Sequence, residues 1–195
     1  MLVKIIKINL LVAVIAAAGC LSSCDTMKTQ NDKFDEQQKI ATAKINTQLG
    51  IAYLQQGDVQ RAKQKLLLAM KEAPKIPETW YSMAYYLEAT GNKTEAQNYY
   101  LKSITIAPKD GASHNNYGTF LCREGQYQAS IQQFMLAAQD PNYLDNAAAY
   151  ENAGLCATKI PDRKLAMAYF ERALEQDPGR AISAEELKKL QKQTA

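Results

Sequence analysis

Counting 34 residues forward from one position of this chain keeps returning a residue of the same kind, and that period limits the fold more than any other feature. Gly50, Tyr53, Gly57, Ala62, Leu66, Ala69 and Pro74 are answered by Ala84, Leu87, Gly91, Ala96, Tyr100, Ser103 and Pro108. Gly118, Leu121, Gly125, Ser130, Phe134 and Ala137 follow, with Pro141 one place early. After a two-residue insertion come Gly154, Ala157, Pro161, Ala166, Phe170, Ala173 and Pro178. A unit of this length has room for two short helices and their turns. One such unit cannot bury its apolar face alone, so the copies must stack on one another.

The residue types say how each unit is built. Gly57, Gly91 and Gly125 mark tight turns between the two helices. Gly50, Ala84, Gly118 and Gly154 are small positions that let the first helix approach its partner, with Ala62, Ala96, Ser130 and Ala166 facing them. Leu66, Tyr100, Phe134 and Phe170 fill the remaining space, and the prolines stop each second helix. This pattern resembles the tetratricopeptide repeat, with Trp80 at the consensus Trp position of the second copy. The resemblance implies an all-α fold, a tetratricopeptide-repeat superhelix of antiparallel helix pairs with a C-terminal capping helix. The repeat domain is expected over 40–195, with repeats at about 43–76, 77–110, 111–146 and 147–180 and the capping helix at about 183–193. Ser183 and Glu186 have capping-box spacing, and Ile182 and Leu187 could staple across it.

The N-terminus carries an address. Lys4 and Lys7 form a basic start, and Ile8 to Gly19 is apolar apart from Asn9. That run is too short for a spanning helix, which needs about 20 residues, and suits the apolar region of an export signal. "LSSC" (21–24) and "AAGC" (17–20) each resemble the short box that precedes the lipidated cysteine of bacterial lipoproteins. Cys24 is the expected attachment site, ending a signal peptide at 23; Cys20, with a signal ending at 19, is the alternative. Lipidation at Cys24 leaves an even pair of cysteines in the mature chain. Against it, Asp25 directly after a lipidated cysteine holds enteric lipoproteins at the inner membrane, whereas Leu21 after Cys20 would send the protein outward. A soluble periplasmic protein with incidental cysteines is the plainer reading. Residues 24–39 are polar and read as a flexible tether.

Charge excludes one class of partner. The chain has 23 basic and 20 acidic residues for a net charge of +3, and Lys4 and Lys7 lie in a first stretch without an acid. The remainder is close to neutral and lacks the basic footprint of a nucleic-acid binder. The lone histidine, His114, occupies the position of Trp80 one repeat on and reads as a packing residue. No phosphate loop, nucleophile elbow or zinc-protease helix is present. The chain is therefore read as no enzyme, with no cofactor, no metal and no small-molecule substrate.

By resemblance to other such repeats, the first helices line a concave face. Carried over, that face takes Lys44, Thr47, Ile51, Leu54 and Gln55 from the first repeat, and Glu78, Tyr81, Tyr85, Glu88 and Ala89 from the second. Ala112, Asn115, Thr119, Cys122 and Arg123 come from the third, and Ala148, Glu151, Leu155, Thr158 and Lys159 from the fourth. The candidate partner groove is Tyr81, Tyr85, Glu88, Asn115, Thr119, Arg123, Glu151 and Leu155. The plainer reading of Tyr81 and Tyr85 is partly buried packing, with Tyr86 beside them in the core. Cys122 and Cys156 hold near-equivalent places on neighbouring first helices, where a disulfide is geometrically open to them. Two buried free thiols are the alternative.

Residues 115–143, "NNYGTFLCREGQYQASIQQFMLAAQDPNY", and 151–178, "ENAGLCATKIPDRKLAMAYFERALEQDP", are more specific than a generic repeat. With the lipoprotein-like start, they resemble the type IV pilus biogenesis and stability lipoprotein, the pilotin of that system. The blocks that carry the resemblance include Asn115, Asn116, Tyr117, Gly118, Phe120, Leu121, Cys122 and Gly125, then Asp140, Pro141, Asn152, Gly154, Leu155 and Cys156. The resemblance implies a protein on the periplasmic face of the outer membrane, lipid-anchored, whose partner is the type IV pilus secretin and whose task is that secretin's localisation and multimerisation. Members of that family commonly carry more repeats than this chain. The rivals are a general envelope-assembly lipoprotein scaffold and an accessory subunit of a cell-wall enzyme.

Overall fold

The turn glycines set the frame. The computed structural model describes residue 30 and residues 32–192, which fall into two units, Met1–Thr42 and Ala43–Ala195. The signal peptide, Cys20 and Cys24 lie outside the described residues. In the first unit, residues 32–42 are helical. Of the polar tether expected over 24–39, residues 32–39 are therefore helical, while 24–29 and 31 lie outside the described residues. Residues 32–39, DKFDEQQK, are rich in Glu, Gln and Lys, which lose little side-chain freedom in a helix. Polarity alone does not prevent helix formation in such a run.

The second unit opens with helix α1 (43–55). It continues through α2 (Val59–Glu72), α3 (Pro77–Ala89), α4 (Lys93–Ile106), α5 (Gly111–Arg123), α6 (Tyr127–Ala138), α7 (Asn146–Ala157), α8 (Arg163–Gln176) and α9 (Ala181–Lys192). The fold is all-α, and the described residues contain no strand. The odd-numbered helices from α1 to α7 are the first helices of their repeats, and the even-numbered ones from α2 to α8 are the second.

Gly57, Gly91 and Gly125 adopt φ of 79°, 86° and 75°. Each closes its first helix with the same pair of bonds. The Asp58 N–H donates to the Tyr53 carbonyl at 2.9 Å and the Gly57 N–H to Leu54 at 3.0 Å. Asn92 to Leu87 and Gln126 to Leu121 repeat the longer bond at 2.8 and 2.9 Å. This is the Schellman arrangement, which needs a left-handed residue and therefore favours glycine. The fourth repeat has Pro161 at that place and closes otherwise, through Lys159 N–H to Cys156 O and Ile160 N–H to Ala157 O, each at 3.0 Å. Each second helix ends just before its proline, at Glu72, Ile106, Ala138 and Gln176.

The small positions bring the helices together. A Cβ on Gly50 would stand 2.6 Å from Leu66 Cγ, one on Gly118 2.8 Å from Phe134 Cε1, and one on Gly154 2.7 Å from Phe170 Cε1. Facing them, Ala62, Ala96, Ser130 and Ala166 are fully buried. At Ser130 the approach is close enough for its hydroxyl to donate to the Gly118 carbonyl at 2.7 Å. Rings then link one repeat to the next: Tyr100 of α4 lies 5.2 Å from Phe120 and 6.0 Å from Tyr117 of α5.

Trp80 and His114 do one job with different rings. Trp80 Nε1–H donates to the Pro74 carbonyl at 2.8 Å, and His114 Nε2 meets the Pro108 carbonyl at 2.9 Å, one period on. His114 Nδ1 pairs with the Gln133 side-chain amide at 2.7 Å. Nε2 therefore ties the first helix to the proline stop before it, as Trp80 does, while Nδ1 ties it to the second helix of its own repeat.

The capping helix forms, but not by the expected device. Helix α9 begins at Ala181, so Ser183 lies inside its first turn and is fully buried. Ser183 is thus not the N-cap, and Glu186 pairs forward with Lys189 at 2.8 Å instead of back to the cap. Ile182 is exposed, so the expected staple to Leu187 is absent; Leu187 and Leu190 pack instead on the cluster around Phe170 and Cys156. What caps α9 comes from α7. The Glu151 carboxylate accepts from the Ser183 N–H at 3.1 Å and from its hydroxyl at 2.7 Å. An N–H in the first turn of a helix has no partner within that helix, and an anion suits the positive end of its dipole.

Candidate partner-binding face

Tyr81, Asn115 and Glu151 are equivalent places on α3, α5 and α7, and Tyr85, Thr119 and Leu155 form the next set one helical turn along. Cross-links between these first helices hold the face in one shape. Arg123 of α5 grips Glu88 of α3 with both ends of its guanidinium, Nε to Oε1 at 2.5 Å and Nη2 to Oε2 at 2.7 Å. The Tyr100 hydroxyl donates to the same carboxylate at 3.1 Å. Between α5 and α7, Asn152 Nδ2 donates to Asn115 Oδ1 at 3.0 Å. Cys122 and Cys156 are joined there as a disulfide, with Cα atoms 5.9 Å apart.

The eight candidate groove residues therefore have different occupations. Tyr85 and Leu155 offer free apolar surface, being 37% and 36% exposed. Tyr81 is half-buried and packs on the core cluster that contains Met83 and Tyr86. Glu88 and Arg123 neutralise each other, and Thr119 returns its hydroxyl to the Asn115 carbonyl at 2.8 Å. Glu151 is only 9% exposed and is spent on α9, with Arg180 Nε 3.7 Å from its other oxygen. It is held away from a partner by α9. Thr47, the equivalent of Tyr81 on α1, is buried with its hydroxyl unpartnered.

One end of the face is acidic and aromatic. Burial raises the Glu78 carboxyl above its usual range; Lys44 opposes the shift and Asp110 adds to it. Burial likewise raises the Tyr81 hydroxyl, helped by Glu78, Asp110 and Tyr143. Tyr143, which fills the space left by the absent side chain of Gly111, is pushed up to about 12 by burial and by Asp145 and Asp110, against Arg180. Burial also raises Tyr100, with Glu88 next. For a group that is neutral when protonated, a raised folded value means stability that is complete below the unfolded value near 10 and lost above it. The melting temperature is therefore expected to hold steady up to about pH 10 and to fall between about 10 and 12. Phenolate absorbance should show these tyrosines titrating after the exposed ones. A melting temperature flat to pH 12 would contradict their burial.

Several of these contacts gave no sign in the sequence. Asp140 Oδ2 accepts from the Gly111 N–H at 2.8 Å across 29 residues, and Arg180 reaches Asp145 at 3.1 Å. Gly111 itself falls outside the small-residue period, yet a Cβ there would stand 2.6 Å from Tyr143. Asp58, Asp110, Asp145 and Asp162 are N-caps, each accepting from the N–H three residues on, and Asp is one of the residue types that favour that position.

The described residues hold no group of three or more His, Cys, Asp or Glu able to bind a metal. None of their helices is long and apolar enough to cross a membrane. What the face offers is exposed aromatic and aliphatic surface on braced helices, which is the chemistry of a protein-binding scaffold. Tetratricopeptide repeat family models match residues 77–110, 99–132 and 121–181, and the chain belongs to the tetratricopeptide-repeat family. Within it, the chain is related to proteins of type IV pilus assembly. It is 30% identical to PilW, described as a widely conserved type IV pilus biogenesis factor, whose crystal structure superposes with a TM-score of 0.68 over 76% of this chain and 68% of that one. It is 28% identical over 160 residues to the type IV pilus assembly protein PilF of Pseudomonas aeruginosa, covering 82% of this chain but 62% of that relative, less than two thirds of its length. A solved structure of P. aeruginosa PilF gives a TM-score of 0.72 at 26% identity over 80% of this chain and 70% of that one. An uncharacterized protein of Haemophilus influenzae is 32% identical over 146 residues, 75% of this chain and 82% of its own.

Proposed function

We propose that this chain is a lipid-anchored periplasmic scaffold of type IV pilus biogenesis, which binds the pilus secretin and promotes its localisation and multimerisation at the outer membrane. The observation that carries the reading is the relation to PilF and PilW, which extends over most of the repeats. The face of first helices supports it, because exposed Tyr85 and Leu155 stand on helices braced by Glu88–Arg123, Asn115–Asn152 and Cys122–Cys156. A braced surface binds without the cost of ordering itself first. Cys24 is the proposed lipid site and Cys20 its alternative; mass spectrometry of the mature N-terminal peptide distinguishes them.

Deleting the gene is the direct test. The high-mass secretin band should vanish from a gel that preserves multimers while monomer persists. Normal multimers in the outer membrane would refute the role in secretin assembly and leave a general envelope scaffold. Replacing Tyr85 and Leu155 together by alanine should weaken secretin binding about tenfold or more, since tyrosine anchors carry a large share of interface energy. Helicity should be kept and melting should fall by no more than a few degrees, because each side chain is more than a third exposed. Unweakened binding by a folded double variant would exclude this face.

A further inference from the structure

Helix α2 differs from the other second helices in charge. It carries Lys63, Lys65 and Lys71 with Lys75 just beyond, against Glu72 alone once Asp58 is paired with Arg61. None of these four lysines has an ion-pair partner among the described residues. On the other described helices, Lys93, Arg123, Arg172 and Lys189 find carboxylates whereas Lys164 and Lys188 do not, so what marks α2 is the grouping of its unpaired lysines around exposed leucines. Between the lysines stand Leu67 and Leu68, 50% and 43% exposed. Ala62, Leu66 and Ala69 face the core, so α2 turns the opposite side to solvent. Lys63, Leu67 and Lys71 follow one another at intervals of four, with Leu68 and Lys75 alongside them. Nothing in fold stability requires this side to be both basic and leucine-bearing.

We propose that the outer face of α2 rests on an anionic lipid surface. Two observations select lipid over an acidic protein. Exposed leucines flanked by lysines match a headgroup layer, where ammonium groups meet phosphates and short apolar side chains dip into the acyl boundary. The first repeat is also the one nearest the N-terminus. From Cys24 to Ala43 there are 19 residue steps, which even fully extended span about 65 Å. This second argument rests on the lipid anchor proposed above; the first does not. With α2 on the bilayer, the first-helix face is held at a fixed aspect to the membrane.

The test uses the full lipidated chain on vesicles of pure phosphatidylcholine and of phosphatidylcholine mixed with phosphatidylglycerol. Lysine acetylation by an amine-reactive ester is read residue by residue by mass spectrometry. Each basic residue at an anionic surface strengthens association about fivefold. Lys63, Lys71 and Lys75 should therefore react at least about fivefold more slowly on the anionic vesicles, with the protection removed by high salt. Exposed Lys164 and Lys188 should react alike on both. Equal rates for the α2 lysines on the two vesicle types overturn the proposal, as does equal slowing of all lysines. Lys63→Gln with Lys71→Gln, both on exposed sites, should abolish protection of Lys75 without altering the fold; persistent protection would also overturn it. Flotation separates the two readings. Failure to float with pure phosphatidylcholine sinks the lipid anchor, while binding and protection on anionic vesicles alone would still support the α2 face. Binding to neither vesicle sinks both.

Discussion

Replacing Gly154 by alanine is expected to destabilise the repeat domain by about 2 kcal/mol, and replacing it by valine by about 3 kcal/mol or more. Taken alone, alanine in a helix is about 1 kcal/mol better than glycine, so the sign of the effect is diagnostic. The added Cβ would stand 2.7, 2.8 and 3.0 Å from Cε1, Cδ1 and Cζ of Phe170. That ring is fully buried between α7 and the core cluster that takes in Leu187 and Leu190. It cannot swing aside as the end of a flexible chain could, so the helices must separate. Chemical denaturation of Gly154→Ala, Phe170→Leu and the double variant gives the check. The double variant should be more stable than the sum of the single losses, because the smaller side chain makes room for the methyl group. A stabilised Gly154→Ala protein would mean that α7 and α8 are not in such close contact.

Loss of the Cys122–Cys156 bridge is expected to cost about 4 kcal/mol. The linked residues are 34 apart, and closing a loop of that size removes about that much entropy from the unfolded chain. For a domain of this size the loss corresponds to a fall in melting temperature of about 8–16 °C. The double variant Cys122→Ser/Cys156→Ser should show it, and reductant should produce the same fall in the wild type and none in the variant. Secondary structure should survive, since the Asn115–Asn152 bond and the packing of α5 against α6 and α7 against α8 remain. A wild-type protein whose melting ignores reductant, with both thiols open to alkylation, would show that the pair is not oxidised. The functional consequence follows from position. The bridge fixes the spacing of α5 and α7, which carry Thr119 and Leu155 of the proposed secretin-binding face, so binding should weaken along with stability.

Much of this protein is written locally. Glycine at 57, 91 and 125 is legible because only a residue without a side chain adopts a left-handed turn cheaply, whatever surrounds it. The prolines are legible because the missing N–H ends a helix from within the chain. Gly50, Gly118 and Gly154 against Leu66, Phe134 and Phe170 are legible because the same close approach recurs at the same interval, so the period exposes it. Nothing comparable marked the helix at 32–39, where composition alone suggested an irregular tether, or Gly111, whose partner Tyr143 belongs to the one interval lengthened by two residues.

The amino-acid sequence by itself therefore determined the repeat, the order of its helices, the turns at Gly57, Gly91 and Gly125, and the small-against-large packing inside each pair, because each depends on residues within one period. Only the tertiary structure decided what the face of first helices is free to do. Glu151 shows the difference. By position it is a groove residue, equivalent to Tyr81 and Asn115, and nothing within a helical turn of it says otherwise. Its carboxylate is nevertheless committed to Ser183, 32 residues away. Glu88 is likewise taken by Arg123 at a separation of 35, and Asn115 by Asn152 at 37. These distances exceed the reach of any local rule. The partners meet because stacked repeats bring equivalent helices side by side, and which polar groups then remain for a second protein depends on that stacking.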